Sequence, residues 1–137
     1  MQWNPYLFFD GQCEKAFKFY QNCFGGNIVA MVPYADMPGG EPMAPEHKNL
    51  IMHARLVAGN QVLMGADAHP SQPNNGVHGF SVALHTDTPA EAERLFNALA
   101  ENGTIVMPVQ QTFWAERFGM LTDQFGIPWM INCEKPR

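Results

Sequence analysis

The chain has 137 residues, of which 46% are hydrophobic and 15% charged, and its formal net charge at pH 7 is −5. This length provides one domain. The negative charge, without any run of Lys or Arg, argues against nucleic acid or an anionic membrane as a partner. Because the sequence shows no signal peptide and no apolar stretch long enough to span a membrane, it predicts a cytoplasmic protein with reduced cysteines.

The first predicted elements are a strand over residues 5–9, a helix over 13–24 and a strand that begins near residue 27. The helix carries apolar side chains at i, i+3, i+4 and i+7, which is typical of a helix that lays one face on a sheet; they are Ala16, Phe19, Tyr20 and Cys23. Gly25-Gly26 ends this helix. The segment 33–49 that follows is rich in Pro, Gly and Met, and we interpret it as a lid or cavity rim.

A hairpin is predicted next, with strands over residues 50–57 and 61–66. Alternation along its first strand separates two faces. One face, predicted to pack under the helices, has Leu50, Met52, Ala54 and Leu56. The other face, predicted to line a cavity, has Ile51, His53, Arg55 and Val57.

The second half of the chain repeats this order. A strand over residues 80–85 precedes a helix over 89–100, for which Thr88 is the predicted N-cap and Glu91 completes a capping box. A strand near residue 104 and a hairpin with strands over 115–122 and 127–133 follow. Because side chains alternate between two faces along the last strand, Trp129 is predicted to face the helix. The sequence thus contains two copies of a strand–helix–strand–strand–strand unit.

Several motifs within this repeat resemble the vicinal oxygen chelate superfamily, which includes glyoxalase I, extradiol dioxygenases and bleomycin-resistance proteins, and in particular its PhnB-like branch. The resemblance covers nearly the whole chain and rests on Pro5-Tyr6-Leu7, Ala16-Phe17-x-Phe19-Tyr20, Ile51-Met52-His53-Ala54, Thr112-Phe113-Trp114-Ala115 and Asp123-x-Phe125-Gly126-x-Pro128-Trp129. It implies an α+β fold in which two tandem βαβββ modules form a curved mixed sheet around a cleft. It also implies a single domain over 1–137, with modules at about 1–70 and 76–137, and a homodimer.

Metalloenzymes of this superfamily take metal ligands from the first and last strands of each module. The resemblance places these positions at or near Pro5, Met64, Phe80 and Met130. None of these side chains is an oxygen or imidazole donor, and a thioether is a poor ligand for hard divalent ions. The neighbouring polar residues, Asn4, His78 and Asn132, do not complete a site. We therefore predict no metal and no other cofactor.

Five residues remain as candidate ligand contacts. Arg55 could pair with a carboxylate or phosphate, and His53 could exchange a hydrogen bond or a proton; the alternative is that each has a structural partner. Asp67 could reach the cavity mouth or cap a turn. Phe113 and Trp114 could wall an apolar cavity, or belong to a core or an interface.

Three functions follow from these residues. The first is a metal-independent small-molecule binding protein, the second a metal-dependent glyoxalase- or dioxygenase-type enzyme, and the third a non-catalytic homodimer that serves protein interaction. The sequence alone does not decide whether a reaction is catalysed.

Overall fold

A computed structural model describes residues 1–36, 45–69 and 76–135 of the chain. In these residues eight strands form two four-stranded mixed sheets, and each sheet is accompanied by one α-helix, which confirms the predicted α+β fold with two βαβββ units. The chain divides into a first unit, Met1–Asn75, and a second unit, Gly76–Arg137. The single-domain organisation of residues 1–137 stays a prediction.

In the first unit the strand order is β1-β4-β3-β2, with β1 parallel to β4 and the other pairs antiparallel. The elements in chain order are β1 (Tyr6–Phe9), α1 (Cys13–Phe24), β2 (Asn27–Pro33), β3 (Ile51–Ala58) and β4 (Gln61–Asp67). Residues 37–44, the middle of the predicted lid segment 33–49, lie outside the described residues.

The second unit repeats this topology with the strand order β5-β8-β7-β6 and a parallel β5–β8 pair. Its elements are β5 (Val82–His85), α2 (Pro89–Leu99), β6 (Thr104–Gln110), β7 (Ala115–Thr122) and β8 (Pro128–Glu134). Among the residues that the structure describes, no helix combines the length and hydropathy that a membrane crossing requires.

Helix α1 begins and ends at the predicted residues. Gly25 follows it with a φ of 75°, a left-handed conformation that favours glycine, and its amide donates to the Gln21 carbonyl. The buried face differs from the predicted stripe, because Cys13 and Phe17 are also buried while Phe19 is partly exposed. The sequence pattern missed Phe17 because a second apolar series with the same i, i+3, i+4, i+7 spacing, Cys13, Ala16, Phe17 and Tyr20, overlaps the predicted one.

Helix α2 has the predicted N-cap. The Thr88 hydroxyl accepts a hydrogen bond from the Glu91 amide at 3.2 Å. The second half of the capping box is absent from the described contacts, since the Glu91 carboxylate pairs with Arg94 instead, and this hydrogen bond lowers the pKa of Glu91.

Trp129 lies in the core as predicted, 1% exposed.

Each sheet has one face against its helix, and we call the opposite side the open face. On β3, Ala54 and Leu56 are buried on the helix face, whereas His53 and Arg55 are partly exposed on the open face. Ile51 was also predicted on the open face, but it is buried at 3% exposure. The pairing of β2 with β3 shifts between Val32 and Pro33, so the alternation does not continue to the first residue of β3.

Gly119 on β7 allows α2 to approach its sheet closely. A Cβ atom at this position would lie 2.7 Å from Phe96 Cε2 and 3.0 Å from Val109 Cα. We therefore expect Gly119→Ala to destabilise the protein by about 1–3 kcal/mol through overpacking, measured as the free energy of unfolding in urea.

A double-mutant cycle with Phe96→Leu tests this cause. The smaller side chain removes the Phe96 ring atoms that the new methyl group would meet and leaves only the contact with Val109 Cα, so the two substitutions together should cost less than the sum of their separate effects. Strict additivity would contradict steric conflict with Phe96.

Candidate functional site

The open face of the first sheet carries a row of cross-strand neighbours. Tyr6 is paired with Met64, Met64 with Arg55, and Arg55 with Ala30. Because paired residues of adjacent strands share a face, these side chains line one side of the sheet. His53 is on the same face as Arg55, two residues away along β3, or roughly 7 Å. The structure thus places two of the predicted site residues side by side.

Tyr6 is the hydrogen-bond partner of His53. Its hydroxyl oxygen lies 3.2 Å from His53 Nδ1, and the two ring centroids are 5.9 Å apart. Burial, with smaller contributions from Cys13 and Tyr34, raises the pKa of Tyr6, so its hydroxyl keeps its proton and can donate to Nδ1. A neutral His53 that accepts at Nδ1 carries its proton on Nε2. In that tautomer the Nε2–H group remains as a hydrogen-bond donor.

Arg55 supplies the positive charge of this face. It is partly exposed, and no described residue forms a salt bridge with it. Its cross-strand neighbours, Met64 and Ala30, are apolar. A guanidinium in such surroundings can pair with an anionic group in a bidentate manner, and nearby apolar atoms strengthen that attraction by excluding water.

Asp67 belongs to the opposite side of the same sheet. It is 2% exposed, and its carboxylate oxygens accept hydrogen bonds from the amides of Cys13 at 2.9 Å and Ile51 at 2.8 Å. It therefore ties the start of α1 and the start of β3 to the end of β4. This geometry fits the structural alternative, and we leave Asp67 out of the proposed ligand site.

The three cysteines are all buried and none forms a disulfide, with exposures of 0% for Cys13, 4% for Cys23 and 2% for Cys133. Burial above all, and then the nearby Asp67 carboxylate, raises the pKa of the Cys13 thiol and suppresses its reactive thiolate.

We expect no rapid reaction with Ellman's reagent in the folded protein, even when the pH is raised from neutral to about 9. All three thiols should react in denaturant. A thiol that reacts stoichiometrically on mixing with the native protein would contradict this burial.

The open face of the second sheet has a different composition. Its equivalent row consists of Ala83, Met130, Met120 and Met107, each the cross-strand partner of the next. Two positions further along β8, Asn132 Nδ2 donates to His85 Nδ1 at 3.2 Å. The Asn132 Oδ1 atom is buried without a hydrogen-bond partner.

Phe113 and Trp114 lie in the second unit, in the segment between β6 and β7. Phe113 is 86% exposed and Trp114 47% exposed, and their rings meet edge to face at a centroid distance of 4.7 Å. Trp114 also contacts Phe118 at 5.4 Å, so one side of its indole is packed against β7. Their part in ligand binding stays a prediction.

The positions that would hold the superfamily's divalent metal carry unsuitable donors. The register places Tyr6, and not Pro5, beside Met64 on the open face, and Ala83, and not Phe80, beside Met130. Tyr6 and Ala83 thus take the places that the sequence set at or near Pro5 and Phe80, since Leu7 and Phe9 occupy the helix face of β1 and Phe80 precedes β5. Within residues 1–36, 45–69 and 76–135, no three His, Cys, Asp or Glu side chains group as metal ligands. In each unit taken by itself the donors are unsuitable: neither the phenol and thioether of the first nor the methyl group and thioether of the second fit a hard divalent ion.

A comparison with models of protein families identifies the family of this chain. The model of the Glyoxalase/Bleomycin resistance protein/Dioxygenase superfamily matches residues 2–131. The chain belongs to this superfamily. The relatives described next support the resemblance to the PhnB-like branch of this superfamily.

Three relatives cover almost the whole chain. Protein YjdN of Escherichia coli is 37% identical over 98% of this chain and 97% of its own length. The crystal structure of protein PA1353 from Pseudomonas aeruginosa superposes with a TM-score of 0.92 at 52% identity, covering 99% of each chain. A PhnB protein from Bacillus cereus, described as a 3-demethylubiquinone-9 3-methyltransferase, superposes with a TM-score of 0.79 at 25% identity, covering 97% of this chain and 99% of its own.

Sequence reasoning missed Tyr6 as the partner of His53 and missed the His85–Asn132 pair. The alternation of side chains along β1 could have shown that Tyr6 faces away from the helix, because its neighbour Leu7 is apolar and faces the helix. The contact itself joins residues 47 positions apart, and only the strand order brings them together.

Proposed function

We propose that the chain binds a small aromatic or apolar molecule that carries an anionic group, and that this binding needs no metal. The observation that carries the proposal is Arg55, a cation on an otherwise largely apolar open face with no ion-pair partner among the described residues. The Tyr6–His53 pair supports it, because a Tyr6 hydroxyl that donates to Nδ1 leaves the Nε2–H group of His53, a residue of the same face, as a second donor.

The chemistry of this face favours recognition over catalysis. The guanidinium and the imidazole N–H offer donors to a carboxylate or phosphate, while Met64 and the exposed aromatic residues of β1 offer apolar contact. Met64 in particular can adapt to ligands of different shape. A face of this kind suits a protein that sequesters or carries its ligand.

Methyl transfer, the activity in the description of the Bacillus cereus protein, has no support from the residues of this chain. The turn between β1 and α1 contains the single glycine Gly11, and Gly25-Gly26 follows α1 rather than preceding it. A methyl-donor nucleotide is usually held by a glycine-rich turn that opens a helix. The homodimer and the cytoplasmic location stay predictions of the sequence.

Benzoate and its neutral isostere benzamide provide the test of the anionic contact. We expect benzoate to stabilise the protein more than benzamide in a thermal-unfolding assay, because only benzoate can pair with Arg55. Arg55→Met should weaken benzoate binding roughly tenfold or more, and Arg55→Lys should retain part of it. Arg94→Met is the matched control, since Arg94 pairs with Glu91 on an exposed helix surface.

Two results would contradict the proposal. Benzoate binding that is undiminished in both Arg55→Met and Tyr6→Phe would exclude this face as the site. Stoichiometric Zn, Ni, Mn or Fe in freshly purified protein, together with loss of binding on chelation, would favour a metal-dependent enzyme.

A further inference from the structure

Three methionines stand side by side on the open face of the second sheet. Met107 on β6 is the cross-strand partner of Met120 on β7, and Met120 is the partner of Met130 on β8. Each of these residues is partly exposed, so none of them is sealed in the core. The core residues of β7, Gly119 and Leu121, occupy the helix face.

The spacing of this row allows the three sulfur atoms to converge. Adjacent strands lie about 4.8 Å apart, and opposed side chains begin about 5 Å apart at Cβ. Methionine is unbranched and flexible, so the outer two side chains can bend towards the middle one. This flexibility would let the three thioethers reach one ion above Met120.

We propose that Met107, Met120 and Met130 form a binding site for a soft monovalent cation, Cu(I) or Ag(I). Thioether sulfur is a soft donor that selects such ions and binds hard divalent ions poorly. The feature that makes this sheet unsuitable for the superfamily's usual metal thus favours a different ion. The net charge of −5 also favours association with a cation.

The first unit supplies an internal contrast. Its equivalent row holds one thioether, Met64, between Tyr6 and Arg55. A single soft donor beside a guanidinium would not hold a cation, because the ligand set is incomplete and the charges repel. The proposed site is therefore specific to the second unit.

Silver nitrate added to the full chain in chloride-free buffer tests the proposal. With methionine labelled at the methyl carbon, we expect the resonances of Met107, Met120 and Met130 to shift together and to saturate at one equivalent, while the Met64 resonance stays unchanged. Met120→Leu should weaken silver binding roughly tenfold or more. Met64→Leu is the matched control and should leave the affinity unchanged.

The cysteines require a separate control because thiols also bind silver. The variant Met107→Leu/Met120→Leu/Met130→Leu retains all three cysteines and a similar apolar volume. If it binds silver as tightly as the native protein, the ion resides on thiols and the proposal is wrong. Equal shifts of the Met64 methyl, or the same shifts on adding Zn(II), would also overturn it.

Discussion

Asp123→Ala should strongly destabilise the second unit, because it removes a buried carboxylate that serves three donors. Asp123 is 3% exposed, and its Oδ1 atom accepts hydrogen bonds from the amides of Phe125 at 2.8 Å and Ile127 at 3.0 Å. Its Oδ2 atom accepts from the Trp129 indole at 2.8 Å. Truncation leaves three donors without this acceptor, two of them on the buried residues Ile127 and Trp129, which we expect to cost about 3–4 kcal/mol.

Urea unfolding, followed by tryptophan fluorescence and by circular dichroism, measures this loss. Asp87→Ala is the control, because Asp87 is exposed and precedes α2. If Asp123→Ala does not fold, Asp123→Asn provides a milder change: its oxygen can still serve the two backbone amides, but its NH₂ group then faces the indole N–H.

The cycle with Trp129→Phe isolates the indole contact. In that background the Asp123→Asn substitution should cost less, because the indole N–H has been removed. Equal costs in both backgrounds would show that the bond from Trp129 contributes nothing. A stability loss below about 1 kcal/mol for Asp123→Ala would contradict the structural role as a whole.

Asp67→Ala should produce a comparable loss in the first unit, about 2–4 kcal/mol, because two buried amides lose a charged acceptor. These amides, of Cys13 and Ile51, belong to different elements, so the substitution separates the start of α1 from the start of β3. The carboxylate also lies at the N-terminus of α1, where the helix dipole stabilises negative charge.

Amide hydrogen exchange separates this role from a ligand contact. In Asp67→Asn the amides of Cys13 and Ile51 should exchange faster than in the native protein, while benzoate binding should persist in the folded fraction. Asp10→Asn is the matched control, since Asp10 is exposed between β1 and α1. Native exchange rates at both amides, with lost benzoate binding, would instead assign Asp67 to the ligand site.

Much of the fold follows from local patterns in the sequence. The bounds of α1 and β7, the Thr88 cap and the burial of Trp129 agree with prediction, because periodicity and capping depend on residues within a few positions of one another. The burial of Ile51 could not be predicted from such local patterns. Its burial arises from a shift in the pairing with β2, which strict alternation along β3 does not contain.

The candidate site was only partly accessible to sequence reasoning. The shared face of His53 and Arg55 follows from their spacing of two on one strand. The role of Asp67 depends on Cys13, 54 residues away. The partner of His53 likewise depends on strand order. Sequence alone gives the chemical type of such side chains, while the register decides which groups they meet.

The shifted pairing of the outer strands β2 and β6 has a consequence for the behaviour of the protein at high concentration. Both strands form sheet edges with irregular register, and both contain a proline, Pro33 or Pro108. They also expose apolar side chains: Val29, Ile105 and Val106. A regular edge of that composition would be a template for strand addition between molecules. The bulges and the missing amide donors interrupt it, and we expect them to disfavour strand addition at β2 and β6.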